Sequence, residues 1–290
     1  MPSPAARSPI LPRLALLASL GCLGAAGCSQ GCAQPQRPPA MTSPLSSSLA
    51  DLQQAYRARD PLTAGHQRAQ ALAVTGAGDG ETITVLASQN LDGEVEHTWL
   101  IALDPAGNVR WERHLDPRYG AGHALAAVAG GLAIAGDVRR GAMAYQATLV
   151  RTDDRGEVTG ATALGPADVT GFDAVAARPD GSLIAGGVSQ YKGWLVTADP
   201  ALARPGDRMF EVDDIKAVGV LASGDAVALA TVDKPTTGFG HTRLAAITRA
   251  GKLAWERALP SSGLGEPAAL VVTADGALAV GSGAADAQAP

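Results

Sequence analysis

Short apolar runs separated by glycine-containing turns fill the chain from about Ala69 onward. Five pairs of such runs are joined by tight turns, as in Ala124 to Val128 followed by Leu132 to Ala135. Runs of this length bounded by turn residues are typical of β-strands, and glycine suits hairpin turns because it adopts positive φ. The five turns lie 43 to 52 residues apart and centre on Gly80, Gly131, Gly181, Gly224 and Gly276.

A second kind of hairpin lies between copies of the first. Trp99 to Asp104 turns at Ala106-Gly107 into Val109 to Leu115, and equivalents turn near Gly156, after Asp199 and at Gly251. The phrase Trp-Glu-Arg-x-Leu occurs at Trp111 and again at Trp255, three repeat steps later. Four strands in each unit of about 48 residues predict the blade of a β-propeller. We therefore expect an all-β protein.

The number of blades is less clearly indicated, because the chain has five hairpins of the first kind and four of the second. The last blade could have only two strands, or the segment before Ala69 could complete it. A third alternative is a shortened propeller with an open ring, which would expose sheet edges and favour association. We expect about five blades, with the first or last incomplete.

The repeat unit resembles those of secreted and lipid-anchored bacterial propellers, including quinoprotein-like and delta-60-type repeats. The resemblance lies in the order of its parts: Trp-Leu-x-x-x-Asp, a glycine turn, an aromatic strand and an Asp-Gly hairpin. The resemblance covers about residues 70 to 282. The tryptophans that contribute to it are Trp99, Trp111, Trp194 and Trp255. It implies that these residues are structural, and it implies little about function.

The first 27 residues predict an export signal of the lipoprotein type. Two arginines and no acid precede the apolar run Leu14 to Ala26, which is too short to span a bilayer. Small residues directly before Cys28 resemble a lipobox, in which the cysteine receives a lipid and becomes the new N-terminus. Cys22 is the alternative lipidated residue. We therefore expect an envelope protein held by a lipid anchor, on the outer membrane, or otherwise a secreted or periplasmic protein.

Composition changes along the chain and divides the remainder into three parts. Residues 28–68 are rich in Pro and Ser and predict a tether, within which Leu49, Leu52 and Tyr56 have helical spacing. We place the propeller at residues 69–283 and a disordered tail at 284–290. Without the signal the net charge is about −7, which argues against nucleic acid as a partner.

Chemistry-bearing residues are sparse and scattered. The five histidines show no metal-ligand spacing, and no cysteine follows Cys32. The acidic pairs Asp153-Asp154 and Asp213-Asp214 read as turn and loop residues. The sequence contains neither a calcium loop nor a nucleophile elbow, so we expect no metal, no cofactor and no catalytic residue.

One position differs chemically between blades. Eight residues before the hairpin glycines lie Leu72, His123, Asp173, Lys216 and Ala268. We predict that His123, Asp173 and Lys216 form a polar ligand rim where the chain enters the innermost strands, at one mouth of the propeller axis.

Two classes of function follow. The first is a non-enzymatic binding or scaffolding module that holds a protein or small ligand at the propeller face. The alternative is a quinoprotein-like or hydrolytic enzyme with its site at the propeller mouth. A quinone-dependent enzyme would require a calcium site and stacking tryptophans, and the repeat already accounts for the tryptophans present. We therefore favour the binding module.

Overall fold

The structure is a computed structural model that describes residues 66–77, 80–91, 95–203, 206–232, 241–259, 267–273, 276 and 278–282. These residues form eighteen β-strands and one short 3₁₀ turn, Pro117–Tyr119, with no α-helix among them. None of the helical structure in these ranges is long and apolar enough to cross a bilayer. The strands are β1 His66–Thr75, β2 Thr82–Leu91, β3 Val95–Leu103, β4 Val109–His114, β5 Ala121–Val128, β6 Gly131–Arg139, β7 Tyr145–Asp153, β8 Val158–Asp168, β9 Thr170–Ala177, β10 Leu183–Ser189, β11 Lys192–Ala198, β12 Gly206–Met209, β13 Asp214–Val220, β14 Ala226–Val232, β15 His241–Ile247, β16 Leu253–Ala258, β17 Pro267–Val272 and β18 Leu278–Ser282.

The strands form four sheets of four antiparallel strands, and a fifth sheet with two described strands. Each sheet follows chain order, from β1–β4 to β13–β16, and β17–β18 comes last. The first strands of successive sheets pack side by side, β1 on β5, β5 on β9, β9 on β13 and β13 on β17. This is the arrangement of β-propeller blades around an axis. The predicted all-β propeller is confirmed, and in the described part of the chain the last blade is the incomplete one.

Burial explains why the strands consist of small apolar residues. The second strands of the second, third and fourth blades lie between neighbouring sheets, so β6, β10 and β14 are buried along most of their length. Such strands lose the alternation of polar and apolar residues that a half-exposed sheet shows. The fourth strands β12 and β16 are exposed throughout. The core therefore lies between the inner strands of adjacent blades.

Close approach of the sheets requires glycine at particular points. A Cβ atom on Gly186 of β10 would lie 2.5 Å from Cγ2 of Ile215 on the next blade. Gly219 of β13 meets Val272 of β17 in the same way. These contacts set the spacing of the third, fourth and fifth sheets.

The tryptophans of the repeat occupy equivalent places. Trp99 on β3 and Trp194 on β11 are third-strand residues and are buried. Trp194 stacks on Phe172 with ring centroids 5.1 Å apart. Trp111 and Trp255 both lie on fourth strands, β4 and β16. The two lipidation candidates, Cys22 and Cys28, lie outside the described residues.

Candidate functional site

Every first strand carries a one-residue shift in register against its second strand. The residues that the ladder skips are Gln70, His123, Asp173, Lys216 and Ala268. An extra residue of this kind is a β-bulge, which bends the strand and redirects a side chain. The bulge position therefore includes the three predicted rim residues.

Asp173 and Lys216 are in direct contact across two blades. Lys216 Nζ lies 2.8 Å from Asp173 Oδ2 and also pairs with Asp214 Oδ2, on its own strand. Burial and then the charge of Asp173 raise the pKa of Asp214 to about 6. Burial lowers the pKa of Lys216, but its bonds with Asp173 and Asp214 outweigh that effect and raise it above 10.5. One ammonium thus holds two carboxylates together.

His123 pairs within its own sheet. Its Nε2 lies 2.7 Å from Oδ2 of Asp137 on β6. That carboxylate reaches the third sheet, because a Cβ atom on Gly171 of β9 would be 3.2 Å from Oδ2. The rim residues and their partners comprise three carboxylates, one ammonium and one imidazole, so the group is net negative when His123 is neutral. Such a rim favours hydrogen-bond donors or cations over anions.

No group of three or more His, Cys, Asp or Glu side chains in the described ranges is placed to hold a metal ion.

The other end of the axis holds a cavity of about 620 Å³. All five first strands contribute their last residues or the turn that follows, so the cavity lies on the axis. Its lining is mostly aliphatic and includes Val74, Val128, Val220 and Val272. Arg178 is the single charged residue among the described residues that line it.

Arg178 directly follows β9, and its side chain joins two blades. Only 7% of Arg178 is exposed, and its Nε donates to the carbonyl of Gly224, 3.1 Å away in the next blade. Its Nη2 is buried without a hydrogen-bond partner. Burial lowers the pKa of this guanidinium, which nevertheless stays charged at neutral pH.

The repeated Trp-Glu-Arg phrase forms the outer joint between the first two blades. The Trp111 ring lies under Gly156, where a Cβ atom would be 2.8 Å from Cζ3. Two residues later, Arg113 donates from Nε to the carbonyl of Arg155 at 3.3 Å and pairs with Glu157 at 2.7 Å. The outer strand β4 thus holds the outer hairpin of the following blade.

Arg208 repeats this joint between the third and fourth blades. It occupies the same register on β12 that Arg113 occupies on β4, since each is opposite the leucine that follows the third-strand tryptophan. Its Nη1 donates to the carbonyl of Gly251 at 2.7 Å. The joint therefore pairs an arginine with the backbone of a glycine turn.

No described turn covers the second copy of the phrase. Leu253 and Trp255 are each 40% exposed, and the Arg257 guanidinium lies over the Trp255 ring, 5.8 Å from its centroid. The fifth sheet has no outer hairpin among its described strands, and β18 pairs only with β17 there. In the described structure β16 therefore supplies its side of the joint, and no described hairpin supplies the other side.

Three features of these sites were not found by sequence reasoning. The bulge in the first blade is at Gln70, whereas counting from the turn glycine gave Leu72, because the first turn is longer than the others. Gln70 donates to the Ser88 hydroxyl at 3.1 Å. Asp214 begins β13 and contacts Lys216, whereas the sequence placed it in a loop. Arg178 could have been found as the charged residue at a position where other blades have small or uncharged residues.

No protein-family model matches the chain, and no curated protein matches it. Solved structures of similar shape include a chimera of ACO and RPE65, with 14% identity over 73% of this chain and 54% of that one, at a TM-score of 0.42. A DUF4221-family member from Bacteroides vulgatus is 8% identical over 76% of this chain and 88% of that one, at 0.41. Sqt1 from Chaetomium thermophilum is 14% identical over 54% and 39%, at 0.36.

The chain spans about half or less of the Sqt1 and chimera chains. These scores and identities assign no family. The propeller assignment rests on the order and packing of the strands.

Proposed function

We propose that this protein is a non-enzymatic lipoprotein of the bacterial envelope whose propeller is a binding or scaffolding module. The observation that carries the proposal is the exposed joint at Trp255 and Arg257. Aromatic residues and arginine are the side chains most enriched at protein interfaces, and this pair lies beside an apolar residue, Leu253.

The occupied joints indicate what this surface binds. Trp111 is covered by a glycine turn, and Arg113 and Arg208 donate to turn carbonyls. The matching partner is a β-hairpin with a glycine turn that would lie against β16. Such a hairpin would also extend the fifth sheet at the edge of β18 that pairs with no described strand, since exposed strand edges accept added strands.

The surface at Trp255 can be tested with the hairpin that covers the equivalent residue Trp111 between the first two blades. A cyclised peptide of residues 145–163 contains the turn at Gly156 that covers Trp111. We expect it to bind the mature protein and to shift tryptophan fluorescence, and W255A and R257A to weaken binding. The matched control is the same peptide with Gly156→Val. Its valine side chain would occupy the space that a tryptophan ring needs against this turn. Equal binding of both peptides, or of wild type and W255A, would refute this surface.

The partner and the anchor need separate experiments in cells. A photo-crosslinking amino acid at Leu253 should capture a partner, whereas the same group at Val109, the equivalent residue of β4 with similar exposure, should not. Incorporation of a labelled fatty acid that C28S abolishes and C22S leaves intact would support the anchor. Absence of label from the wild-type protein would overturn it.

A further inference from the structure

The axial cavity combines an aliphatic wall with one buried charge. Its volume of about 620 Å³ is within the range of pockets that hold small molecules. Val74, Val128, Val220 and Val272 come from four different blades, so the wall surrounds the axis. This lining is suited to an amphiphilic ligand, which has one polar end and an apolar body.

Arg178 has unused hydrogen-bonding capacity at this cavity. An unpartnered buried donor is destabilising, and a charged one more so, which is why proteins rarely keep one without an acceptor. The Nε of Arg178 is used by Gly224, but Nη2 has no partner. Nη2 itself is shielded from solvent, so a carboxylate bound in the cavity would supply the missing acceptor once the guanidinium turns toward it.

The nearby acids are already engaged. Asp180 accepts from the backbone and hydroxyl of Ser182 and pairs with Arg249, and bonds from Ser182 lower its pKa. Asp225 accepts from the Arg249 backbone at 2.8 Å and from the Ser223 hydroxyl at 3.0 Å. These two carboxylates are the acidic charges that act on Arg178, and both form bonds with other groups.

We propose that the axial cavity binds a small aliphatic carboxylate, with Arg178 pairing its carboxylate and the four valines contacting its chain. This site is independent of the hairpin joint beyond β16, because it uses the inner strands and the ends of their turns. It also differs from the polar rim, whose net charge is negative and which lies four to five residues earlier on the same strands.

Octanoate is a suitable probe, because it has one carboxylate on a short unbranched chain. Its affinity for the mature protein is measured by isothermal titration calorimetry, with octanol and octylamine as ligands of equal length. We expect octanoate to bind, octanol to bind about 10- to 100-fold more weakly, and octylamine not to bind. The fold-change follows from losing one hydrogen-bonded charge pair.

Two kinds of variant separate binding from folding. R178Q should weaken octanoate binding by about 10- to 100-fold but leave octanol binding unchanged, and R178K should retain part of the preference for octanoate. Ala127 lines the cavity from a different blade than Arg178, so A127W should obstruct the cavity and weaken binding of both ligands. Each variant is accepted only if its circular dichroism spectrum matches that of wild type.

If Arg178 variants fail to fold, A127W and the ligand series still decide the matter. Failure of octanoate to bind wild type, equal affinity for octanol, or full binding by A127W would each overturn the proposal. None of these results bears on the hairpin surface, which is tested at Trp255.

Discussion

Two glycines with the same backbone conformation provide a sharp test of the outer joint. Gly156 and Gly251 occupy equivalent turns, with φ of +75° and +77°. A Cβ atom on Gly251 would meet nothing within 4 Å, whereas on Gly156 it would lie 2.8 Å and 3.0 Å from two atoms of the Trp111 ring. Alanine at either position bears the same left-handed strain, so the difference between the variants isolates the packing of the ring.

The expected magnitudes follow from these distances. The left-handed conformation costs a non-glycine residue about 1–2 kcal/mol, which is the full effect expected for G251A. G156A must also displace the Trp111 ring, and overpacking of this kind costs about 1–3 kcal/mol. We therefore expect G156A to lower the free energy of unfolding by about 2–5 kcal/mol.

Urea denaturation of both variants, followed by far-UV circular dichroism, measures the two losses. In a W111A background the excess loss of G156A should disappear, because the atoms that clash are gone. Equal losses for G156A and G251A, or an excess that survives W111A, would show that Trp111 does not pack on this turn.

Three further perturbations probe other parts of the fold. Asp214 has a folded pKa of about 6 against 3.8 unfolded, so the native state binds its proton more tightly and stability falls as pH rises from about 4 to 6. D214N should remove that slope, which is at most about 3 kcal/mol; an unchanged stability profile from pH 4 to 7 would contradict it. R113M should lower the free energy of unfolding, measured by urea denaturation, by about 0.5–1 kcal/mol, and R257M by less than about 0.5 kcal/mol. Of these two arginines only Arg113 contacts a described residue of a neighbouring blade, and equal losses would argue against that joint. F172A should cost about 3–5 kcal/mol in the same assay, because Phe172 is fully buried against Trp194, and a loss below about 1 kcal/mol would contradict this packing.

The blade pattern was predictable because it is local. Many of the hairpin turns contain a glycine with positive φ, as observed at Gly107, Gly156, Gly181, Gly224 and Gly276, and these glycines can be read directly from the chain. The outer turn of the third blade instead has Leu202 at φ +60°. Both faces of the inner strands are buried, which removes polar residues from them. Such signals depend only on neighbours in sequence.

Contacts between blades were harder to foresee, because they depend on how two sheets slide against each other. Asp173 and Lys216 are 43 residues apart in sequence, and their contact required both bulges to lie at the same height. Asp137 and Asp214 complete the rim from positions that no pattern linked to it. The count from the turn glycine gave Leu72 instead of Gln70, because turn length varies while the bulge stays fixed to the strand.

Five bulges at one level of the propeller give the rim an unusual freedom to change. A bulged residue lies outside the hydrogen-bonded ladder, so its replacement leaves the strand pairing intact. Gln70, His123, Asp173, Lys216 and Ala268 are already five different residues on one backbone plan. Single substitutions at these positions can alter the charge and shape of the mouth one blade at a time. Descendants of such a chain can acquire new ligands without rebuilding the fold.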